Sequence, residues 1–225
     1  MEILFLGHAG FLITTGEKNV AIDPFLTDNP LAIHQARDIR ADYILITHGH
    51  GDHMNDAFEI ANNYGGTIVG IAEIARYAQN KGIKNHSLNT RGSYDFGPFK
   101  AKLTPALHSS SLYGWPPIYM GLASGFMITA EGKNIYHAGD TALFSDMALI
   151  GKNKIDLAFL PIGDNFTMGP DDALEAVKLL TPRTVVPMHY NTWPIINQDA
   201  ASFKEKAEKL GTQVVILNPG DIFNL

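Results

Sequence analysis

Residues 46–53 read ITHGHGDH, and this stretch contains three of the nine histidines of the chain, His48, His50 and His53, together with Asp52. One histidine after an apolar run is more often a packed or turn-capping side chain. Given the composition of the chain, H-x-H-x-D-H arises by chance in roughly one chain in a thousand of this length. Imidazoles held this close repel one another when protonated, and gain little when neutral unless a cation binds their lone pairs. The stretch therefore predicts a metal site.

The residues before this motif predict where the site lies. YILIT, residues 43–47, is a continuous apolar run that is typical of a strand buried on both faces. Ligands of α/β proteins commonly lie at the carboxyl ends of such strands. The glycines between the histidines are expected to free the backbone so that the rings turn inward.

Further ligands are expected from the rest of the chain. His108 ends AKLTPALH, Asp140 ends NIYHAGD and His189 ends TVVPMH, so each follows an apolar run as the first cluster does. Each of these residues alone would more often be structural. Together with H-x-H-x-D-H they make seven nitrogen and carboxylate ligands, the number expected for two metals that share one carboxylate.

The pattern along the chain predicts one α/β domain over residues 1–225, with mixed sheets and no linker or repeat. Strands are predicted at 2–6, 10–15, 19–23, 43–47, 66–70, 155–160, 184–188 and 213–217, with further strands between about 86 and 137. Helices are predicted at 55–64, 73–81 and 198–210, with another beginning near Pro170.

Composition excludes several classes of protein. An apolar content of 45% argues against disorder, and the absence of cysteine excludes disulfides, thiolate metal ligands and a catalytic thiol. The net charge of −6 argues against a nucleic-acid partner. No apolar run approaches the roughly 18 residues of a membrane span, and MEILFLGHAGFLITT is typical of a strand rather than of a signal peptide. A soluble, cytoplasmic protein is expected.

The order of these motifs resembles the metallo-β-lactamase superfamily, which carries H-x-H-x-D-H, a distant His, an Asp and a last His, each after a strand. FLGHAGFLI (5–13), IDPFLT (22–27), YHAGDTALFSDM (136–147) and PIGDNFTMGPDDA (161–173) are similar to its metal-dependent hydrolase branch related to the ascorbate-6-phosphate lactonases. The resemblance covers the whole chain. It implies a four-layer αββα sandwich, in which two mixed β-sheets are flanked by helices.

The resemblance also implies a ligand set. His48, His50 and His108 would bind one metal, Asp52, His53 and His189 the other, and Asp140 would bridge the two. Asp23 matches an early aspartate that braces the loop bearing the histidines. The chain lacks the cysteine and lysine of typical β-lactamases of this fold. It also has His50 where the diiron flavoproteins have glutamate, so both of those functions are disfavoured.

This ligand set indicates the chemistry. Nitrogen-rich, sulfur-free ligands favour Zn²⁺, with Mn²⁺ or Fe²⁺ as alternatives. Two such ions about 3.5–4 Å apart would share a water and supply a hydroxide near neutral pH. Asp52 would orient that hydroxide, which would attack a small-molecule lactone, ester or phosphoester. The alternative is a mononuclear iron dioxygenase, or a metal-stabilised binding module, on the same fold.

Several other residues are expected near the site. His8 follows the first strand and is expected either to act as a proton donor or substrate contact, or to be structural. Thr141 could hydrogen-bond Asp140, and Asp164 and Asn165 begin a loop suited to supporting the ligands. His137 is expected either to support the ligands or to pack in the core. Ser109 to Ser111 are expected to be loop residues without a catalytic role.

SSSLYGWPPIYMG, residues 109–121, is predicted to be a long irregular loop directly after His108. Loops of this length in compact domains are usually functional. Its aromatic residues could wall the cleft, bury against a second subunit or fold back on the core. We expect the loop both to narrow the cleft and to form a homo-oligomer contact.

Overall fold

Two seven-stranded sheets account for most of the strands in the computed structural model, which describes all 225 residues. The strands are β1 Glu2–Gly7, β2 Gly10–Thr15, β3 Lys18–Ile22, β4 Tyr43–Leu45, β5 Thr67–Ile71, β6 Asn85–Leu88, β7 Ser93–Asp95, β8 Lys100–Pro105, β9 Ser111–Leu112, β10 Ile118–Tyr119, β11 Ser124–Ala130, β12 Lys133–His137, β13 Leu157–Pro161, β14 Thr184–Met188, β15 Gln213–Val214 and β16 Ile222–Asn224. The helices are α1 Gly51–Tyr64, α2 Ala72–Asn80, α3 Met147–Gly151, α4 Pro170–Leu180 and α5 Ala200–Glu208.

Each large sheet is half antiparallel and half parallel. The first has the order β16-β1-β2-β3-β4-β5-β6, with β3 to β6 parallel, and the second has the order β15-β14-β13-β12-β11-β8-β7, with β12 to β15 parallel. The carboxyl ends of parallel neighbours lie at one edge of a sheet, which is where α/β proteins place their ligands.

The molecule has four layers. Helices α1 and α2 pack on the first sheet and α3 to α5 lie beside the second, while the largest apolar cluster fills the space between the sheets. Phe11 on β2 stacks on Phe159 on β13 with ring centroids 3.8 Å apart, which joins the two sheets directly. The expected αββα sandwich is therefore confirmed.

Local sequence explains the main elements. All five residues of β13 and of β14 are buried, as expected of strands covered on both faces. Helix α4 begins at Pro170 with Asp171 and Asp172 in its first turn, where negative charge suits the helix dipole. Helix α1 ends at Tyr64 and is followed by Gly65, whose φ of 70° gives the left-handed cap that glycine adopts most easily.

Some predicted boundaries were wrong. Helix α1 begins at Gly51 rather than at residue 55, so the histidine motif runs into its first turn. The strand expected at 213–217 is only Gln213–Val214, at the edge of the second sheet with β14 as its single partner. The short elements α3 and β16 were not predicted, since five and three residues carry too little periodicity.

Residues 109–121 do not form an irregular loop. Strands β9 and β10 pair antiparallel as a separate two-stranded ribbon, with Tyr113 to Pro117 at its tip.

None of the helices combines the length and the hydropathy that a bilayer crossing requires.

Candidate metal centre

The motif at 48–53 bridges the end of β4 and the start of α1. His48 follows the strand, His50 precedes the first residue of the helix, and Asp52 and His53 lie in the first helical turn. His108 follows β8, Asp140 follows β12 and His189 follows β14, at the corresponding edge of the second sheet. The fold thus brings all seven predicted ligands together from loops of both sheets.

Three histidines form a first group of nitrogen atoms. His48 Nε2 lies 3.0 Å from His50 Nδ1, and His108 Nε2 lies 3.3 Å from the same atom. Ligand atoms about 2.0–2.1 Å from a tetrahedral Zn²⁺ are about 3.4 Å from one another. The spacing of these three nitrogens is therefore that of three ligands converging on one ion.

A second group lies beside the first. His53 Nε2 and His189 Nε2 are 3.7 Å and 3.8 Å from Asp52 Oδ2. These distances are slightly longer than a tetrahedral edge, but they place two nitrogens and one carboxylate oxygen around a common point. His8 Nε2 belongs to the same cluster of atoms.

Asp140 lies between the two groups. Its Oδ2 is 3.6 Å from His108 Nε2 in the first group and 3.0 Å from His189 Nε2 in the second. Its Oδ1 is 3.4 Å from His53 Nε2. One buried carboxylate thus faces nitrogens of both groups.

Several polar atoms at this point are buried without a hydrogen bond. His53 Nε2, His189 Nε2 and Asp140 Oδ1 are inaccessible to solvent, and although these nitrogens lie within ion-pair distance of the Asp140 carboxylate, none of the three atoms makes a hydrogen bond. Leaving buried polar atoms unpaired costs about 1–3 kcal/mol each. A divalent cation would satisfy all three, so the residues present fit a metal centre.

The electrostatics of the two groups differ. Burial disfavours the charged form of His189, but the nearby carboxylate of Asp140 outweighs it and raises its pKa to about 9. Asp140 and Asp52 likewise hold the pKa of His53 well above its usual range against the effect of burial. Burial and the neighbouring imidazole of His53 lower the pKa of His48. The carboxylates thus create a site for positive charge at His53 and His189, which a metal ion can occupy in place of protons.

Asp23 and Thr47 orient two of the ligands. His53 Nδ1 donates to Asp23 Oδ2 at 2.9 Å, which directs Nε2 towards the second group. The Thr47 hydroxyl donates to the same carboxylate oxygen and therefore accepts from His48 Nδ1, 3.0 Å away. Asp23 Oδ1 also accepts from the Thr47 backbone N–H. Both oxygens of Asp23 thus accept hydrogen bonds that orient Thr47 and His53, so Asp23 is not free to be a metal ligand.

Thr47 was not predicted, although it stands directly before the first histidine of the motif. Its hydroxyl is the signal that sequence reasoning could have used. Ser109 was predicted to be a loop residue without a catalytic role, and a contact with a candidate ligand was not foreseen. Its hydroxyl lies 3.2 Å from His50 Nε2, on the opposite side of the ring from the first group. Ser109 therefore supports a predicted ligand.

His8 is buried and contacts Asp52 rather than the cleft. Its Nε2 lies 3.2 Å from Asp52 Oδ2 and its Nδ1 lies 2.8 Å from the Thr192 hydroxyl. Burial and the neighbouring His189 lower the pKa of His8 to about 3, so it is neutral. A carboxylate only accepts, hence Nε2 donates to Asp52 and Nδ1 accepts from Thr192. Of the two expectations for His8, these contacts favour the structural role, in which it positions Asp52, over that of a proton donor or substrate contact. Thr192 was not predicted.

Three residues that were expected to support the ligands make other contacts instead. Thr141 does not bond the Asp140 carboxylate; its hydroxyl donates to Ala142 O and accepts from Leu107 N, which ties the loop of His108 to that of Asp140. Asp164 and Asn165 are exposed and bond only within their own turn and to Met168. Their polar character reflects a left-handed turn, with φ of 61° and 44°, rather than support of the ligands.

His137 packs between the sheets and makes no bond to a ligand. Its Nε2 donates to Ala9 O at 2.9 Å and its Nδ1 accepts from Gly139 N–H. Its ring lies beside the stacked pair of Phe11 and Phe159, at centroid distances of 5.8 Å and 5.7 Å. Of the two expectations, packing in the core is the one that the structure shows.

Gly49 is needed for close approach rather than for backbone freedom. A Cβ at residue 49 would lie 2.3 Å from the Cβ of Met120, at the base of the ribbon. The Gly49 N–H also donates to the Ser110 hydroxyl at 3.1 Å. The histidine motif and the ribbon are therefore in direct contact.

An open cleft of about 710 Å³ leads to the two groups. Its lining residues are Phe25, His50, Gly51, Asp52, Asn55, His108, Ser109, Ser111, Tyr113, Asp140, Phe166, His189, Trp193 and Ile195. The volume is that of a site for a small organic molecule.

This geometry agrees with comparisons with known proteins. The family described as "Beta-lactamase superfamily domain" matches residues 2–189, which contain all seven predicted ligands. The chain belongs to the metallo-β-lactamase superfamily. Its metal-binding residues are accordingly expected at the edge of the sandwich where the histidines, Asp52 and Asp140 meet.

Members of the superfamily with similar sequences are named as hydrolases. A UPF0173 metal-dependent hydrolase of Pelotomaculum thermopropionicum is 53% identical over the full length of both chains, and one of Thermus thermophilus is 48% identical over 100% of this chain and 99% of its own. The structure of Igni18, a metallo hydrolase from the archaeon Ignicoccus hospitalis, is 38% identical with a TM-score of 0.91, covering 100% of this chain and 98% of its own. This metallo-β-lactamase superfamily protein is a metal-dependent hydrolase.

A solved structure with lower identity shares the fold alone. The isothiocyanate hydrolase from Delia radicum gut bacteria has a TM-score of 0.78 at 20% identity, over 100% of this chain and 99% of its own.

Proposed function

We propose that the protein binds two divalent metal ions and uses them to hydrolyse a lactone, ester or phosphoester of a small molecule. His48, His50 and His108 would hold the first ion, Asp52, His53 and His189 the second, and Asp140 would contact both. The observation that carries this proposal is the position of Asp140, whose carboxylate oxygens lie 3.0–3.8 Å from nitrogens of both groups.

Zinc is the metal that these ligands suit best. The groups offer imidazole nitrogens and carboxylate oxygens without sulfur, a set that binds Zn²⁺ and also accommodates Mn²⁺ or Fe²⁺. The nitrogen spacing in the first group supports a small tetrahedral site.

Two divalent ions, when bound, would make a water molecule acidic enough to supply a hydroxide near neutral pH and would stabilise negative charge on the attacked group. Asp52 lines the cleft and its side chain is 18% exposed, so it can contact a water there. His8 Nε2 donates a hydrogen bond to Asp52 Oδ2 from the buried side of the carboxylate. This bond would fix the carboxylate in the orientation needed to accept a proton. Asp52 is thus the residue that would orient the attacking water.

The surroundings support a small-molecule substrate rather than a nucleic acid. The chain carries a net charge of −6, and none of the 14 residues lining the cleft is lysine or arginine. Phosphate backbones are bound largely through such side chains.

Metal content is the decisive test. Protein purified without chelator and loaded with Zn²⁺ is expected to contain two ions per chain by mass spectrometry of the metals, and His189→Ala is expected to retain one. His34→Ala, a half-buried histidine outside both groups, is the matched control and should retain both. One ion per wild-type chain, unchanged in His189→Ala, would overturn the binuclear proposal and favour the mononuclear alternative.

A further inference from the structure

The charge of the cleft distinguishes between neutral substrates, such as esters and lactones, and anionic phosphoesters. Its only ionic side chains besides the histidines are Asp52 and Asp140, both of which face the metal groups. Beyond the metals themselves, an anionic substrate would meet no positive charge. Sites that transfer phosphoryl groups commonly supplement their metals with arginine or lysine.

One wall of the cleft is aromatic. Trp193 packs edge-on against His8 at 4.9 Å, and Phe25 lies 5.8 Å from Trp193 and 5.4 Å from His8. Since His8 contacts Asp52 and His189, this wall adjoins the second group. Across the cleft, the ring of Tyr113 lies parallel to that of His50, with centroids 5.7 Å apart.

Three large side chains at the mouth remain exposed. Tyr113 is 78% exposed, Ile195 60% and Phe166 50%. They come from three separate segments: the tip of the ribbon, the short helix 194–196 and the turn that contains Asp164 and Asn165. Burial in the core does not explain these residues, whereas contact with an apolar ligand does.

We propose that the substrate is a neutral carboxylic ester or lactone with an apolar acyl group, and not a phosphoester. This inference rests on the proposed function and narrows it. The apolar group would lie against Phe25, Trp193, Ile195 and Phe166, while the carbonyl faces the two metal groups. A neutral carbonyl enters this cleft without the desolvation cost of a phosphate, for which the lining offers no lysine or arginine.

The reaction is balanced with water as the only co-reactant. The oxygen of water bonds to the carbonyl carbon, and the bond from that carbon to the alkoxy oxygen breaks. One proton of the water passes to the leaving oxygen, by way of Asp52, and the other is released from the new carboxylic acid. The products are an acid and an alcohol, or one hydroxy acid from a lactone.

The test compares substrates that share one chromophore. Zinc-loaded protein is assayed with 4-nitrophenyl acetate, butyrate and hexanoate, with 4-nitrophenyl phosphate and with bis(4-nitrophenyl) phosphate; the chelated protein gives the background. We expect kcat/KM for butyrate to exceed that for either phosphate by at least about 100-fold. We also expect it to rise about two- to fourfold for each methylene added from acetate, as burial of CH₂ groups implies.

Wall variants show whether this preference arises in the cleft. Ile195→Ala and Phe166→Ala are expected to raise KM for hexanoate about five- to tenfold, with little effect on acetate and none on metal content. Ile222→Ala is the matched control, since Ile222 is 52% exposed on β16 and does not line the cleft.

The outcomes distinguish the two proposals. Metal-dependent cleavage of a phosphate with kcat/KM equal to or above that of the esters would overturn the inference and leave the proposed hydrolase intact. An ester preference without chain-length dependence, or one unchanged in both wall variants, would overturn the apolar acyl site. Absence of turnover of all five compounds by protein with two bound ions would count against the proposed function itself.

Discussion

At the scale of single residues, three of the five candidate histidine ligands are hydrogen-bonded through the ring nitrogen that points away from the metal groups. His53 bonds Asp23, His48 bonds Thr47 and His50 bonds Ser109. Such bonds fix the tautomer and the orientation of each ring before a metal arrives. His189 differs, because its Nδ1 is buried without a partner.

Replacing Asp140 by asparagine tests the shared carboxylate. The change keeps the size of the side chain but removes the negative charge between the two groups, so repulsion between two bound cations would no longer be screened. We expect Asp140→Asn to lose at least one ion per chain and its hydrolytic activity, with an unchanged circular dichroism spectrum.

Asp164→Asn is the control for this change, because Asp164 is exposed and bonds no ligand. Full occupancy of both metals in Asp140→Asn would contradict its position between them.

Replacing Thr47 by valine tests the brace. Valine preserves the branched shape but removes the hydroxyl that links Asp23 to His48. Loss of such outer partners typically lowers metal affinity about 10- to 100-fold, and we expect a change of that size in a titration against a chelator. Thr129→Val, on the exposed face of β11, should leave the affinity unchanged; equal affinity in both variants would assign Thr47 a purely structural role.

At the scale of elements, the ribbon β9–β10 follows His108 and packs against the histidine motif through Met120. Met120 is buried, whereas Trp115 at the tip is 96% exposed and Tyr119 is 62% exposed. The base of the ribbon is therefore fixed by the metal centre, and its tip is free to contact another molecule. Exposed tryptophan and tyrosine at one site are typical of protein interfaces.

We predict that the tip contacts a second copy of the chain in a homo-oligomer. Trp115→Ala should then shift the protein to the sedimentation coefficient of a single chain, with metal content unchanged. Leu210→Ala removes an apolar side chain that is 44% exposed near the end of α5, and it should sediment as the wild type does. Identical sedimentation of wild type and Trp115→Ala would show that the tip is not the contact.

At the scale of the whole molecule, the metal groups join the two sheets. His48, His50, Asp52 and His53 follow β4 of the first sheet, whereas His108, Asp140 and His189 follow strands of the second. Each group includes residues from both sides. Metal binding would therefore stabilise the sandwich as a unit, because the ligands are brought together only in the folded state.

Removal of metal is expected to lower the melting temperature. At a free metal concentration about 1,000-fold above Kd, one site contributes about 4 kcal/mol to folding. For a chain of this size that corresponds to about 8–16 °C per site. Calorimetry of loaded and chelated protein measures the shift, and restoration by added Zn²⁺ is the control. An unchanged melting temperature would mean that the sheets do not depend on the metal groups.

The sequence alone was enough to predict the superfamily and the fold class, through the resemblance of its motifs to known members. It was also enough to select seven candidate ligands, because H-x-H-x-D-H and the later His, Asp and His each follow an apolar run. It could not determine the direction of each ring or its partner. Thr192 bonds His8 across 184 residues, and no local pattern signals such a contact.

Only the tertiary structure showed that His8 is buried behind Asp52, that Thr141 ties two loops together instead of contacting Asp140, and that Asp164 and Asn165 face solvent. The physical reason is that periodicity and spacing report which face of an element is apolar. The packing of one sheet on the other sets which side chains meet across the edge.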